Sequence, residues 1–360
     1  MKTLNFSAGP AMMPYEVMQQ VHDEFFDWHH LGVSVAEISH RSRYFIELAE
    51  QSRNDLRALL HIPDHYHILF LPGGARTQFA AIPMNLMDEY QTVAYLQTGY
   101  WGYVAKTEAA RYITVKTIAN SENVNYVTIP AQNTWDDFSD CAYLHYVDNE
   151  TIHGVEFDFI PDSKTVALIC DMSSNLLSRP FDVSKYALIY ASSQKNVAIA
   201  GITIVIIRDD LLKRKSHPAL PSMMHYALQV KHDSMWNTPP TFEWYFAGCV
   251  FQWLKKQGGL ESMAQHNAKK AKYLYDYLDS QSFYKNNVNK KYRSRLNVIF
   301  HLPTAELDEK FVRKAFENQL FGLKGHKILG GIRASIYNAM PLAGVHALVD
   351  FMKTFVKRYG

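Results

Sequence analysis

Short apolar segments alternate with helical segments between residues 66 and 207, and this alternation restricts the folds open to the chain. Each apolar segment has the length of a buried strand, and the segments between them show helical spacing of apolar residues. The predicted strands are His67–Leu71, Thr92–Gln97, Ala142–Val147, Val166–Cys170, Ala187–Ala191 and Ile202–Ile207. Such alternation is typical of an α/β fold, with a mostly parallel sheet flanked by helices on both faces.

A change in pattern near residue 255 indicates a second domain. Two long predicted helices, Phe242–Lys256 and Leu260–Asp279, are followed by a mixture of strand, helix and glycine-rich loop. The chain has 360 residues, which exceeds the size of one ordinary domain. We therefore expect a large domain over residues 15–255. A smaller C-terminal α+β domain should cover residues 256–360, and the N-terminal segment 1–14 should belong to this small domain.

Composition argues against several classes of protein. Hydrophobic residues make up 48% of the chain and charged residues 20%, as in globular proteins. The net charge is +2 without a long run of lysine or arginine, and apolar runs fall short of the ~18 residues that span a bilayer, so we expect neither a nucleic-acid nor a membrane partner. The three cysteines form no CxxC pair, so we expect no metal site and a reducing, cytoplasmic location.

Two charged residues follow predicted core strands. Lys195 comes shortly after Ala187–Ala191, and Asp171 directly follows Val166–Cys170. In open α/β sheets ligands bind outside the carboxyl ends of strands, where a lysine of lowered pKa is a nucleophile for aldehydes. A carboxylate opposite can hold a pyridinium nitrogen protonated. Lys195 alone could equally reach solvent, and Asp171 alone could cap a helix, but the pair favours a site for a ring cofactor.

Three further features are weaker when taken singly. The turn Gly73–Thr77 suits a phosphate at a helix N-terminus, although many such turns are glycine-rich for steric reasons alone. Trp101 could stack on a ring or belong to the core. Arg41 and Arg333 could capture carboxylate or phosphate, or form surface ion pairs.

Taken together, these segments resemble the phosphoserine aminotransferases, which are fold-type I enzymes of the class V aminotransferase group that depend on pyridoxal 5′-phosphate (PLP). The resemblance covers essentially the whole chain. It rests on motifs in matching order: Asn5–Ala11, Ser39–Ser42, Gly73–Phe79, Thr98–Trp101, Asn149–Gly154, Asp171–Ser174, Ser178–Pro180, Gln194–Asn196, Asn237–Thr241, Lys324–His326 and Arg333–Ala339.

The resemblance implies PLP as cofactor and assigns a role to each residue around it. Lys195 would bind PLP covalently and later move a proton, while Asp171 would pair with the ring nitrogen. Trp101 would stack on the ring, and Thr151 would bond its phenolic oxygen. The PLP phosphate would be held by Ala75, Arg76 and Gln194 of one subunit and by Asn237 and Thr238 of its neighbour in a homodimer.

The resemblance also implies the reaction, an amino transfer from glutamate to 3-phosphohydroxypyruvate in serine biosynthesis. Bacterial members also act on 4-phosphohydroxy-threonine in pyridoxine biosynthesis. Arg333 would bind the substrate α-carboxylate. The other substrate anion contacts would be His40, Arg41, Arg76 and His326.

Two departures from the family pattern and three alternative functions remain open. Thr77 stands in the phosphate turn where the family commonly has a smaller residue, and we expect this difference to be tolerated. Ala198 and Ile199 stand where the family commonly has a Gly-Pro pair, which could change the stiffness of the loop after Lys195. Another class V enzyme of alanine–glyoxylate type is the nearest alternative. A cysteine desulfurase is disfavoured because the cysteines lie in apolar stretches, and a PLP-binding scaffold without catalysis would not need arginines for substrate anions.

Overall fold

The computed structural model describes residues 3–87 and 92–360. Its strands, in chain order, are β1 (Leu4–Asn5), β2 (Tyr66–Pro72), β3 (Thr92–Gln97), β4 (Thr114–Asn120), β5 (Tyr143–Val147), β6 (Asn149–Glu150), β7 (Val155–Glu156), β8 (Ala167–Asp171), β9 (Leu188–Ser192), β10 (Ile202–Arg208), β11 (Asn297–Phe300), β12 (Leu320–Phe321) and β13 (Ile332–Ser335). Its α-helices are α1 (Tyr15–Glu24), α2 (Arg43–Leu60), α3 (Ala75–Asn85), α4 (Tyr100–Ala109), α5 (Tyr226–Lys231), α6 (Thr241–Lys256), α7 (Gly259–Asp279), α8 (Ala305–Glu317) and α9 (Leu342–Tyr359).

The central sheet of the described residues has seven strands in the order β2-β10-β9-β8-β5-β3-β4. Neighbouring strands are parallel except at β10, which runs antiparallel to both β2 and β9. The prediction of an α/β fold with a mostly parallel sheet is therefore confirmed. The antiparallel strand has a simple cause, because the chain from Ser192 to Ile202 is too short for the crossover that a parallel neighbour needs.

Helices cover both faces of this sheet, and its inward-facing side chains form two apolar cores. A third core combines Phe6 with residues from α7, α8, α9, β11 and β13. Helix α7 contributes to two of them, since Leu260 and Met263 pack beside the sheet whereas Leu274 and Leu278 belong to the third core. The division into residues 15–255 and 256–360 with 1–14 stays a prediction, and residues 1 and 2 lie outside the described part.

The N-terminal helix is shorter than the sequence pattern predicts. Val17, Val21, Phe25 and Trp28 share helical spacing, but α1 ends at Glu24. Val17, Val21 and Trp28 are buried, whereas Phe25 is 38% exposed and contacts the ring of Phe26 at 5.2 Å. The chain therefore presents aromatic surface just after α1.

No helix in residues 3–87 and 92–360 is both long enough and apolar enough to cross a membrane.

Candidate active site

Lys195 lies in the turn that follows β9, and its amine is held inside the protein. Its Nζ donates hydrogen bonds to Thr151 Oγ1 at 2.6 Å and to Ser174 Oγ at 2.9 Å. Burial lowers the pKa of Lys195 to about 8, although the carboxylates of Asp171 and Glu150 act in the opposite direction. The amine therefore has a larger neutral, nucleophilic fraction near pH 7 than a surface lysine has.

Asp171 ends β8 and is almost fully buried. Its Oδ1 accepts a hydrogen bond from the backbone N–H of Ser173 at 2.8 Å, which fixes the carboxyl group. Burial raises the pKa of Asp171, while the nearby charge of Lys195 and a hydrogen bond from Tyr190 lower it. The Tyr190 hydroxyl in turn meets Nε2 of His145 at 2.8 Å, so Asp171 is backed by buried polar groups.

A cavity of about 350 Å³ joins these two residues. Its lining comes from the carboxyl ends of β5, β8 and β9 and from the starts of α3 and α4: Gly74, Ala75, Arg76, Trp101, Val147, Asn149, Asp171, Ser173, Ser192, Gln194 and Lys195. A larger cavity of about 580 Å³ lies between α1, α2 and α6, and its lining contains none of the predicted site residues. The smaller cavity, which Lys195 and Asp171 line, is therefore the candidate active site.

The start of α3 gives this cavity an anion-binding end. Gly74 is the N-cap residue of α3, and it has no side chain that could accept a hydrogen bond from the N–H groups of the first turn. Gly73 has φ +101°, a backbone conformation that favours glycine. The exposed N–H groups and the positive end of the helix dipole together suit a phosphate.

Trp101 forms another wall of the cavity, near the start of α4. The Arg76 guanidinium lies 5.6 Å from the centre of the indole ring. The indole Nε1 is buried and has no hydrogen-bond partner among the described residues. The indole is therefore free to present its face to a flat ligand.

Besides Arg76, which lines the cavity, two other predicted substrate residues lie near it. Burial lowers the pKa of both Lys195 and His326, and the charge of Arg333, on β13, acts in the same direction on each. The His326 ring is 5.8 Å from that of Tyr100, next to Trp101. Burial lowers the pKa of the Arg333 guanidinium, whose Nε has no hydrogen-bond partner in the described part of the chain. Such a group is suited to an incoming carboxylate.

The model of the class-V aminotransferases matches residues 3–348 of the chain. The chain belongs to the class-V aminotransferase family.

Three similar proteins carry the name phosphoserine aminotransferase. The chain is 53% identical to the phosphoserine aminotransferase of Coxiella burnetii (strain CbuG_Q212), over 100% of this chain and 99% of that protein. The solved phosphoserine aminotransferase of Bacillus circulans subsp. alkalophilus is 43% identical, with a TM-score of 0.97, covering 100% of this chain and 99% of that one. The PLP-bound phosphoserine aminotransferase of Trichomonas vaginalis is 42% identical, with a TM-score of 0.95, covering 98% and 100%.

The structure brings most of the predicted cofactor residues together but leaves others apart. Ala75, Arg76, Trp101, Asp171, Gln194 and Lys195 line the cavity, and Thr151 contacts the lysine amine. His40 and Arg41 do not line it, and neither do Asn237 and Thr238, which are exposed. Within one chain, the cavity therefore contains only part of the predicted site.

Sequence reasoning missed two residues next to Lys195. Ser174 accepts a hydrogen bond from the lysine amine, and Glu150 is a buried carboxylate whose charge acts on it. Both lie inside motifs that carry the family resemblance, but neither has a distinctive residue type or spacing. Only the fold places them beside the amine.

The loop after Lys195 is closed by hydrogen bonds despite the missing Gly-Pro pair. The N–H of Ala198 bonds the Ser193 carbonyl at 2.8 Å, and the Ser193 hydroxyl bonds the Ile199 carbonyl at 2.5 Å. The Ala198 side chain is fully buried. These contacts restrain the loop in the absence of proline.

Proposed function

We propose that this protein is a phosphoserine aminotransferase. It transfers the amino group of glutamate to 3-phosphohydroxypyruvate in a reversible, PLP-dependent reaction of serine biosynthesis. One observation carries the proposal: the Lys195 amine, of lowered pKa, shares a cavity with the Asp171 carboxylate and with the uncapped N-terminus of α3. Similar proteins that share about half of their residues with this chain over its full length bear this name, which supports the same substrate.

The residues of the cavity fit PLP in charge and position. The N–H groups of Ala75 and Arg76 and the side chain of Gln194 suit the phosphate. A Cβ at Gly74 would come within 3.3 Å of Ser192 Oγ, so a larger residue would narrow this end. When bound, PLP supplies an aldehyde and an electron-withdrawing pyridinium ring.

Each residue then has a task that its position allows. With PLP bound, the neutral amine of Lys195 would bond the aldehyde carbon with loss of water, and its Nζ would later carry a proton from the substrate Cα. Asp171 would keep a proton on the ring nitrogen, and Trp101 would pack against the ring. Thr151, which bonds the lysine amine, would bond the phenolic oxygen of the cofactor.

The substrate anions need a second set of residues. We assign the α-carboxylate, which is common to both substrates, to Arg333. The distal carboxylate or phosphate is assigned to His40, Arg41, Arg76 and His326. Arginine suits this exchange because its planar guanidinium pairs with either oxyanion.

We expect these cations to determine specificity. Arg41→Ala should raise KM for 3-phosphohydroxypyruvate by about tenfold or more, because a dianionic phosphate gains more from each cation than a carboxylate does. Arg333→Ala should impair both substrates together. Hydroxypyruvate, which lacks the phosphate, should be a poor acceptor. Steady-state assays of each variant with both acceptors measure these effects.

Arg43→Ala is the matched control, because Arg43 is also an exposed arginine but packs on the ring of Tyr44. It should leave both KM values unchanged. Equal efficiency of wild-type enzyme with hydroxypyruvate and its phosphate ester would instead place the protein with aminotransferases of another specificity, such as the alanine–glyoxylate type.

We further propose a homodimer with shared active sites. Asn237 and Thr238 are exposed and lie away from their own chain's cavity, so they are available to a neighbouring subunit. The exposed rings of Phe25 and Phe26 contact each other, and the Phe25 ring lies 5.8 Å from that of Phe242 in α6. Exposed aromatic clusters of this kind are typical of protein interfaces.

Mixing two inactive variants tests the shared site. Lys195→Ala and the double variant Asn237→Ala/Thr238→Ala should each be poorly active as homodimers. A mixed dimer has one site with both defects and one with neither, so activity should return to as much as about half per mixed dimer. Subunit exchange is verified by native mass spectrometry of tagged chains. Mixed dimers without recovered activity would show that each chain builds its own site.

Two finer proposals concern the cell. The cation set for a distal phosphate should also accept 4-phosphohydroxy-threonine, which would give the enzyme a second role in pyridoxine biosynthesis. A direct assay with that substrate tests this proposal.

The three cysteines, Cys141, Cys170 and Cys249, are buried free thiols, which fits a location in the reducing cytoplasm.

A further inference from the structure

Glu150 is a buried carboxylate with a specific pair of hydrogen bonds. It lies in β6 and has no exposed surface. Its Oε2 accepts a hydrogen bond from the backbone N–H of Trp101 at 3.0 Å, and its Oε1 accepts one from Gly102 at 2.8 Å. These N–H groups belong to the first turn of α4, whose N-cap residue, Gly99, contributes no side-chain bond. Glu150 thus caps α4 from a distant part of the sequence.

The local sequence leaves space for this carboxylate. A Cβ at Gly99 would lie 2.3 Å from Glu150 Cδ, so a side chain there would displace the carboxyl group. A Cβ at Gly102 would lie 3.4 Å from Glu150 Oε1 and 2.9 Å from the Leu96 carbonyl oxygen. The two glycines therefore allow the start of α4 to rest directly on Glu150.

The charges around Glu150 fit the same role. Burial raises the pKa of Glu150 to about 7, while its bonds to Gly102 and Trp101 and the charge of Lys195 favour the ionised form. Asp171 disfavours that form. A carboxylate at a helix N-terminus also interacts favourably with the helix dipole.

The backbone of Trp101, and not its indole ring, makes the buried polar contact of this residue. Its indole Nε1 has no hydrogen-bond partner in the described residues, so no bond from the ring itself fixes the ring plane. The indole ring lies 5.5 Å from the ring of Tyr100 and 5.6 Å from the guanidinium of Arg76, an exposed residue, and it packs against the second apolar core. The bond from Trp101 N–H to Glu150 is the buried polar contact that holds this residue.

We propose that Glu150 is a positioning residue that holds the Trp101 indole against the cofactor cavity. It acts through the backbone of Trp101 and touches neither substrate nor cofactor. The inference rests on the proposed PLP site, because the indole is the proposed stacking surface for the ring.

Hydrogen exchange of the cofactor-free protein gives a first test. Glu150→Gln replaces one acceptor oxygen with an NH₂ group that faces a backbone N–H, so one capping bond is lost. Amide exchange in a peptide covering residues 98–105 should become about tenfold faster or more, as expected for the loss of a charge-assisted bond. Glu156→Gln is the matched control, since Glu156 is also a buried glutamate but binds Arg295. Unchanged exchange in Glu150→Gln would overturn the proposal.

A double-mutant cycle on PLP affinity gives the second test. Glu150→Gln should weaken PLP binding by about tenfold in the wild-type background but by less than about twofold in a Trp101→Ala background. Glu150→Gln should also change the near-ultraviolet circular dichroism of bound PLP in the wild-type background and leave it nearly unchanged in the Trp101→Ala background. An equal loss in both backgrounds would show that Glu150 does not act through Trp101. If Glu150→Gln does not fold, Glu150→Asp replaces it, because the shorter carboxylate cannot reach both N–H groups.

These tests separate the inference from the proposed function. Wild-type protein that fails to bind PLP would contradict the proposed function itself. Suppose instead that the wild-type protein binds PLP and transfers amino groups, and that Glu150→Gln changes neither amide exchange nor PLP affinity. This result would contradict only the role of Glu150.

Discussion

Lys195→Ala is expected to abolish amino transfer while PLP still binds in part. The variant loses Nζ, the amine nitrogen that attacks the aldehyde and later moves the proton. General acid–base catalysis alone is typically worth about 10²–10⁴-fold. The phosphate contacts at the start of α3 remain, so some PLP should stay bound. Turnover with glutamate and PLP absorbance after desalting measure the two effects. Near-wild-type turnover would show that another residue does the chemistry.

Lys270 provides a control within the same chain. Burial also lowers its pKa, to about 7, but its Nζ donates to the backbone carbonyls of Ile336 and Tyr337. Borohydride reduction of the PLP-loaded protein, followed by peptide mapping, should therefore label Lys195 and leave Lys270 unmodified. A label on Lys270 would contradict the assignment.

The lowered pKa of Lys195 also sets a pH dependence. Only the neutral amine attacks an aldehyde, so covalent attachment of PLP to the cofactor-free protein should accelerate as pH rises toward about 8 and then level off. Rapid-mixing absorbance measurements between pH 6.5 and 9 follow this rate. A rate that still rises about tenfold per pH unit at pH 9, as for a lysine of ordinary pKa ~10.4, would show that burial does not activate the amine.

Much of the fold was predictable because buried strands have a strong local signature. Thr92–Gln97 has the predicted bounds, and the other five predicted strands agree with the observed ones to within one residue at either end. The edge strand β4 was not predicted, because it is mostly not buried and lacks a continuous apolar run. The antiparallel direction of β10 was not predicted, because strand direction depends on the length of the connection and not on the strand's own residues. The start of helix α4 at Tyr100 has no local signal either, because the residue that caps it, Glu150, is distant in sequence.

The site was predictable where it lies at strand ends. Lys195 and Asp171 follow buried strands, so the rule for open α/β sheets brings them together. Arg333 and His326 required the fold, because only the fold brings β13 and the loop before it near Lys195 and Tyr100. The contribution of a partner subunit cannot follow from periodicity at all, since it depends on a surface and not on a core.

Asp171→Asn should have opposite effects on activity and on the stability of the cofactor-free protein. The amide is isosteric and can keep the bond from the Ser173 N–H, but it carries no charge to keep a proton on the ring nitrogen. We expect kcat at saturating PLP to fall by about 10²–10³-fold, the range for loss of one preorganised electrostatic group. Steady-state assays with glutamate measure this loss, and an unchanged kcat would contradict the role.

The stability effect follows from the sign of the pKa shift. Burial raises the pKa of Asp171 in the folded protein, so the unfolded chain releases this proton at lower pH than the folded chain does. The contribution of Asp171 to folding stability is therefore present at low pH and is lost as pH rises through its folded pKa. At neutral pH the buried carboxylate destabilises the cofactor-free protein, so Asp171→Asn should have an equal or higher Tm than wild type without PLP. PLP should raise the Tm of wild type more than that of the variant, because only the carboxylate gains a positive partner in the ring nitrogen. A lower Tm for the cofactor-free variant would show that Asp171 has a structural role in addition to holding the ring.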